Sequence, residues 1–144
     1  MKRYEFFDKT ADAKFKAYGA TLEDCFANAL EAMTSIMFKP EEILEYEFDK
    51  EEREIIVEGA NLEALLYNFL EEAIFLLSAE SFVGLSEKVL IKELDEGFKL
   101  KAILKGTQSI NIENHGEVKA VTYNEMHVKL NDEGLYECQV VVDL

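Results

Sequence analysis

Two stretches of the chain repeat apolar residues with the period of an α-helix. The first follows Thr21 and has apolar residues at positions 22, 25, 26, 29, 30, 33, 36 and 37. The second follows Asn61 and continues with the same spacing to Leu77. Thr and Asn are frequent helix N-caps, because their side-chain oxygens accept hydrogen bonds from free amides of the first turn. We therefore expect two amphipathic helices, the first ending before Pro40.

Most of the remaining chain has the pattern of β-strands. Residues 13–18 alternate in polarity and predict a half-buried strand, and residues 43–58 predict a strand pair with a turn near Asp49 and Lys50. Four further strands are predicted at residues 89–94, 98–104, 118–130 and 135–142. Asp-Glu-Gly occurs at 95–97 and again at 132–134, each time between two of these strands. Because Gly adopts the positive φ that short hairpin loops need, both triplets predict antiparallel hairpins.

These elements indicate an α+β fold. Strands that do not alternate regularly with helices favour mostly antiparallel β-sheets, here packed with two amphipathic helices. A chain of 144 residues with 49% hydrophobic content is long enough for one core, so we expect a single domain spanning residues 1–144.

The charge of the chain limits its partners. Asp and Glu outnumber Lys and Arg by 30 to 15, and a net charge of −15 repels phosphate backbones, so we expect no direct nucleic-acid binding. The same charge would attract cations or a basic protein surface, although solubility alone also explains it. No apolar run approaches the roughly 20 residues of a membrane helix, and no signal sequence opens the chain, so we expect a soluble cytoplasmic protein.

The sequence contains no common catalytic signature. It has no GxGxxG, P-loop, nucleophile elbow, HExxH or CxxC, so a free-standing enzyme is not favoured. Cys25 and Cys138 have neither metal-ligand spacing nor disulfide-scaffold density, which predicts reduced core thiols. His115 and His127 also lack paired spacing, and we expect a surface or structural role for each.

Two carboxylates are candidates for metal binding. Asp12 lies between a turn and the first predicted strand, beside small residues, although a turn-forming role also explains it. Asp143 ends the last strand, which brings its side chain close to the terminal carboxylate of Leu144. Oxygen ligands alone suit Ca²⁺, Mg²⁺ or Mn²⁺ better than Zn²⁺. Nothing in the sequence by itself brings Asp12 to the end of the chain.

Four segments, in order, resemble the archease family. They read DKTADA at 8–13, EGANLEALLYNFLEE at 58–72, VKAVTYNEM at 118–126 and VVDL at 141–144. The resemblance covers essentially the whole chain. It implies a role in tRNA splicing as an accessory protein, not an enzyme, that promotes guanylylation and multiple turnover of an RtcB-type RNA ligase, its expected partner.

The resemblance also assigns site residues. The divalent metal, Ca²⁺ or alternatively Mg²⁺ or Mn²⁺, would be held by Asp12, Asp143 and the main-chain oxygens of Leu144. Lys119 resembles the functional lysine of the family and would contact the partner or a nucleotide, although an outward strand lysine is the simpler interpretation. The chain departs from the family at Lys9 and Asn124, where the usual residue is His.

Two other functions remain open from the sequence. The protein could be a general chaperone or assembly factor whose metal is structural, which predicts protection of unrelated proteins from aggregation. It could also be a metal-dependent phosphohydrolase, although no obvious general base lies beside the carboxylates.

Overall fold

The computed structural model of the protein describes residues 1–7 and 12–144. Its helices are α1 (Leu22–Ser35), α2 (Pro40–Glu45) and α3 (Leu62–Glu80), and a short 3-10 turn covers Ser109–Asn111. Its strands are β1 (Tyr4–Phe7), β2 (Asp12–Gly19), β3 (Glu51–Gly59), β4 (Phe82–Glu93), β5 (Phe98–Gln108), β6 (Ala120–Leu130) and β7 (Tyr136–Asp143).

The strands form two antiparallel sheets on either side of the long helices. The four-stranded sheet has the order β1-β2-β7-β6, and the three-stranded sheet has the order β3-β5-β4. Helix α1 packs on β2 and β7 of the first sheet and on β4 of the second, while α3 packs on β6 and on all three strands of the second sheet. The predicted α+β fold with antiparallel sheets is thus confirmed. A third helix, α2, was not predicted.

Both predicted N-caps are confirmed. The Thr21 side chain accepts a hydrogen bond from the Asp24 amide at 3.0 Å, and the Asn61 side chain accepts one from the Ala64 amide at 2.8 Å. Helix α3 is apolar around much of its circumference because it has a sheet on each side. The Phe26 and Phe69 rings stack with centroids 6.4 Å apart and join the two helices in the core. Among the described residues, no helix is long and apolar enough to span a membrane.

The strand pair predicted between residues 43 and 58 is wrong in its first half. Residues 40–45 form α2, with Pro40 at its first position and Glu41 and Glu42 in its first turn. Proline has the right φ for a helix start, and acidic residues favour that end of the helix dipole. This helix is too short to show an apolar period, since its one buried side chain is Ile43. The chain does bend at the predicted position, with Asp49 at a φ of 51°, but the bend connects α2 to β3 and not one strand to another.

Both Asp-Glu-Gly triplets close hairpins, as predicted. Gly97 joins β4 to β5 with a φ of 81°, and Gly134 joins β6 to β7 with a φ of 78°. In the second turn the Asn131 side chain accepts hydrogen bonds from the amides of Glu133 and Leu135 at 2.9 and 3.0 Å. Asparagine side chains stabilise turns in this way, because they replace a backbone acceptor.

Glutamates from the helices cover backbone amides of two edge strands. On β6, the Val121 amide donates to Glu71 at 2.7 Å and the Val128 amide donates to Glu63 at 3.2 Å. On β4, the Ile91 amide donates to a glutamate of α1 at 3.3 Å. An edge strand with free amides is a template for aggregation, so these contacts protect the edges as well as fix the helices.

Candidate metal-binding and partner-contact site

The pairing of β2 with β7 places Asp12 directly opposite Asp143. Residues directly opposite in an antiparallel pair have side chains on the same face of the sheet. The next pair, Ala13 and Val142, belongs to the core side, so alternation along the strand puts the two carboxylates on the outward face. The tertiary structure therefore joins the two ends of the chain, which the sequence alone could not do.

Lys119 and Leu144 lie at the same end of the four-stranded sheet. The Lys119 amide donates to the Asp143 carbonyl at 2.8 Å, which continues the ladder between β6 and β7 beyond Ala120. Leu144 follows directly and is 43% exposed. Residues from β2, β7 and the approach to β6 thus meet at one solvent-exposed end of the sheet. All four residues singled out in the sequence belong to this end.

The candidate ligands Asp12, Asp143 and Leu144 offer oxygen atoms. Two neighbouring carboxylates repel each other unless a cation or a proton lies between them. Carboxylate and carbonyl oxygens are the ligands that Ca²⁺, Mg²⁺ and Mn²⁺ prefer. Within residues 1–7 and 12–144, His, Cys, Asp and Glu side chains form no metal-binding group of three or more. The main chain of Leu144, next to Asp143, is the further ligand that the sequence resemblance to the family implies at this end of the sheet.

Strand β6 contains a β-bulge of four residues close to this site. After Thr122 pairs with Val141, the next paired residue is His127 with Gln139, so residues 123–126 lie opposite Val140 alone. The Thr122 hydroxyl stabilises the start of the bulge, because it donates to the Val141 carbonyl at 2.9 Å and accepts from the Asn124 amide at 3.2 Å. Asn124, one of the two departures from the family pattern, thus lies in the bulge. The other, Lys9, lies outside the described residues.

The bulge presents a tyrosine that the sequence did not single out. Tyr123 is 55% exposed and stacks on Tyr67 of α3, with ring centroids 4.3 Å apart and planes within 8°. The contact depends on the bulge and on how α3 lies against the sheet, so no local sequence signal reveals it. Burial and the nearby Glu71 carboxylate raise the pKa of Tyr67, so the ring remains a neutral phenol.

The outward face of the same sheet also contains a charged network around Glu137. This side chain is almost buried, and its carboxylate lies 2.7 Å from His127 Nε2 and 3.8 Å from the ammonium groups of Lys16 and Lys129. Burial by itself would raise the pKa of Glu137, but the His127 hydrogen bond and the Lys16 charge together hold that pKa below its ordinary value. His127 therefore has a structural role as a partner of Glu137, in agreement with the surface or structural role expected from the sequence.

The other candidate residues also have structural surroundings. His115 Nε2 lies 3.0 Å from the Ser35 carbonyl, and its amide donates to the Met37 carbonyl at 2.8 Å. Cys25 and Cys138 are buried free thiols, as predicted. Contact with Cys25 and burial raise the pKa of Cys138, which keeps the thiol protonated and unreactive.

Comparison with known proteins gives one consistent result. The family model described as "Archease protein family (MTH1598/TM1083)" matches residues 4–144. The protein archease of Methanothermobacter thermautotrophicus is 38% identical over 145 residues, with all of both chains covered. The protein archease of Pyrococcus abyssi is 36% identical over 147 residues with the same coverage.

A solved structure agrees with this result. The solution structure of Methanobacterium thermoautotrophicum protein 1598 matches the whole chain with a TM-score of 0.80 and 37% identity, and all of that chain is covered. The matched region contains both sheets, both long helices and the end of the sheet where Asp12 meets Asp143. The chain belongs to the archease family.

Proposed function

We propose that this protein is an accessory factor in tRNA splicing that promotes guanylylation and multiple turnover of an RtcB-type RNA ligase with the help of a bound divalent cation. The observation that carries the proposal is the cross-strand pair of Asp12 and Asp143 in a chain of the archease family. These residues, with Leu144, are the metal ligands that the resemblance implies.

The structure supports a role for this end of the sheet in several ways. The two carboxylates are directly opposed, which is unfavourable in an isolated protein and favourable around a cation. Lys119 is exposed beside them, held by its amide contact with Asp143. The Tyr67–Tyr123 stack and the bulge of β6 fix the neighbouring strand. Rigid surroundings of this kind keep charged groups in place for a partner.

The four site residues have different roles in the proposed mechanism. Asp12 and Asp143 would hold the cation, with main-chain oxygens of Leu144 completing the protein ligands. The bound cation would supply positive charge for phosphate groups. Lys119 would add an ammonium group on the same end, so that a strongly acidic protein presents a local positive region to the nucleotide pocket of the ligase. Fixed charges of this type stabilise phosphoryl transfer.

The proposal is tested by ligase guanylylation with GTP and Mn²⁺ and a cognate RtcB-type ligase. The assay compares wild-type protein with Asp12→Ala, Asp143→Ala and Lys119→Ala, and uses Asp132→Ala as a matched control in the exposed β6–β7 turn. Wild-type protein and the control should increase both guanylylation and the number of turnovers. Both aspartate variants should lose this effect.

Two results would contradict the proposal. Full stimulation by a variant that no longer binds metal would remove the cation from the mechanism. No stimulation by the wild-type protein under turnover conditions would remove the ligase role. Protection of unrelated proteins from aggregation would then favour the chaperone alternative, and metal-dependent hydrolysis of simple phosphate esters would favour the phosphohydrolase alternative.

A further inference from the structure

Within residues 1–7 and 12–144, no helix covers the outer face of the three-stranded sheet. Along β5, Leu100, Ala102 and Leu104 are buried against the helices, while the alternate residues point the other way. Those alternate residues include Lys99 and Lys101, which are exposed. The residues directly opposite them on β3 and β4 share this outward face.

Lysines are concentrated on the β4 and β5 part of this surface. We call it the lysine face, and it comprises Lys88, Lys92, Lys99, Lys101 and Lys105. These five are a third of the 15 Lys and Arg residues, in a chain with 30 Asp and Glu. An even distribution of charge would not place so many cations on two strands, so the lysine face is a local exception to the acidic surface. It is bordered on β3 by Glu52, Glu54 and Glu58, which share the same outward face.

The arrangement of these lysines is unfavourable for the isolated protein. Lys92 lies directly opposite Lys99, and like charges at such positions destabilise a sheet. Lys101 is paired with Glu54 at 3.4 Å and Lys105 with Glu87 at 2.6 Å. In the described part of the chain, Lys88, Lys92 and Lys99 form no ion pair. Within the described residues these three ammonium groups therefore lack an ion-pair partner, although Lys99 also lies directly opposite Glu58 on β3, and Lys92 and Lys99 repel each other.

Apolar side chains lie between the lysines. Leu90 is 51% exposed and lies opposite Lys101, and on the other side of Lys101 is Ile56, which is 52% exposed. A shallow depression of about 240 Å³ between β3 and β4 is lined by Glu54, Lys88, Leu90, Lys101 and Ile103. Exposed apolar residues surrounded by charges are typical of protein-binding surfaces.

We propose that the lysine face docks a partner protein through a surface that carries carboxylates around an apolar side chain. The apolar side chain would enter the depression beside Leu90, and the carboxylates would neutralise Lys88, Lys92 and Lys99. The partner is the RNA ligase itself, so this inference rests on the proposed function. It adds a second contact on the three-stranded sheet, separate from the end of the four-stranded sheet that holds Asp12 and Asp143.

The charges favour a protein over RNA as the occupant. RNA carries phosphates along its whole length and would be repelled by the acidic surface around the lysine face in a chain of net charge −15, whereas a few carboxylates on a protein can contact the lysines alone. Leu90 and Ile56 add nothing to phosphate binding but add contact area for a protein.

The charges also oppose a second copy of this chain. In a two-fold dimer through this surface, the central strand β5 would meet its own copy. Lys99, Lys101 and Lys105 would then face like charges, in addition to the repulsion between two chains of net charge −15.

The test measures binding of the purified cognate RtcB-type ligase to variants with equal charge changes on different surfaces. Lys88→Glu/Lys92→Glu changes the lysine face, and Lys2→Glu/Lys39→Glu is the control with the same net charge at exposed lysines outside this sheet. The first variant should bind about tenfold more weakly or worse, with a smaller salt dependence than wild type. The control should bind within about twofold of wild type.

The single variant Lys92→Glu separates loss of binding from loss of folding. It converts the repulsion with Lys99 into an attraction, so its Tm should rise by about 1–3 °C while its affinity for the ligase falls. A variant that merely unfolds cannot show this combination. Fluorescence anisotropy with a labelled single-stranded RNA tests RNA as the occupant. Light scattering of the protein alone tests a second copy of the chain.

The outcomes separate this inference from the proposed function. Wild-type affinity in Lys88→Glu/Lys92→Glu would overturn the docking surface and leave the ligase role standing. Absence of any ligase binding by wild-type protein would overturn both. RNA binding or a dimer that the lysine substitutions abolish, with ligase binding unchanged, would assign the lysine face to that occupant instead.

Discussion

Asp12 and Asp143 lie directly opposite each other on β2 and β7, although they come from opposite ends of the chain. Because β2 and β7 are antiparallel, the first residue of one strand meets the last residue of the other. The same strand β7 is bonded to β6 on its other side, where the Lys119 amide donates to the Asp143 carbonyl at 2.8 Å. Residues of β2, of β7 and of the approach to β6 therefore meet at this end of the sheet.

Metal binding should stabilise the wild-type protein and not the aspartate variants. Without divalent cations, Asp12→Asn should be as stable as wild type or slightly more so, since it removes repulsion with Asp143. With a cation at about a hundred times its Kd, wild type should gain about 2.7 kcal/mol of unfolding free energy. Thermal unfolding with EDTA, Ca²⁺, Mg²⁺ or Mn²⁺ measures both effects.

Asp95→Asn is the control for this experiment, because Asp95 is an exposed aspartate in the β4–β5 turn. It should show the same gain in Tm with metal as the wild-type protein. An equal gain in Asp12→Asn and in wild type would mean that the cation binds elsewhere.

Removing the glutamate that covers the edge of β6 should destabilise the fold. Glu71→Ala leaves the Val121 amide without its 2.7 Å acceptor, at an expected cost of about 1–2 kcal/mol. Glu71→Gln keeps an acceptor oxygen and should lose less. Urea unfolding gives the free energies, and hydrogen exchange of the Val121 amide should become faster in the Ala variant.

The adjacent Glu72→Ala provides the comparison, since it removes the same charge from α3. If both Ala variants lost equal stability, the effect would come from helix charge and not from the edge contact. Increased aggregation in Glu71→Ala alone would support the protective role of the contact.

The stability contributed by Glu137 should depend on pH in the direction of its pKa shift. The pKa of Glu137 is held below its ordinary value in the folded protein. Its contribution is therefore complete above the unfolded-state pKa of about 4.3 and is lost as the pH falls through the lower folded-state pKa. Glu137→Gln should cost about 1–2 kcal/mol at pH 7 and progressively less below pH 4. Urea unfolding between pH 3 and pH 7, at roughly unit steps, follows this difference.

Glu133→Gln is the matched control, because Glu133 is exposed in the neighbouring β6–β7 turn. Its unfolding free energy should stay within about 0.5 kcal/mol of wild type over the same range. A Glu137→Gln penalty that grew in acid would contradict the shift and the network with His127 and Lys16.

The stacked tyrosines should contribute a coupling that depends on both rings. Tyr67→Ala, Tyr123→Ala and the double variant form a double-mutant cycle, for which the 4.3 Å stack predicts about 0.5–1.5 kcal/mol of coupling. Tyr123→Phe should be close to neutral because it keeps the ring. Urea unfolding gives the four free energies, and a coupling near zero would show that the exposed ring does not hold the bulge in place.

Local sequence signals determined much of the secondary structure. Thr21 and Asn61 marked the helix starts, since a capping side chain bonds to an amide only three residues away. The two Asp-Glu-Gly triplets marked hairpins for a similarly local reason, because such turns need a positive φ and Gly97 and Gly134 adopt it at little cost. The short helix at Pro40 escaped prediction, since six residues give no apolar period.

The sequence by itself determined the two long helices, the two Asp-Glu-Gly hairpins and the acidic surface, and its resemblance to a family named the candidate site residues. Only the tertiary structure decided which strands became neighbours. Strand order depends on burying the apolar faces of helices and sheets together, and this is a property of the whole chain. That burial placed Asp12 beside Asp143, brought Tyr123 into contact with Tyr67 and left the lysine face of the three-stranded sheet uncovered.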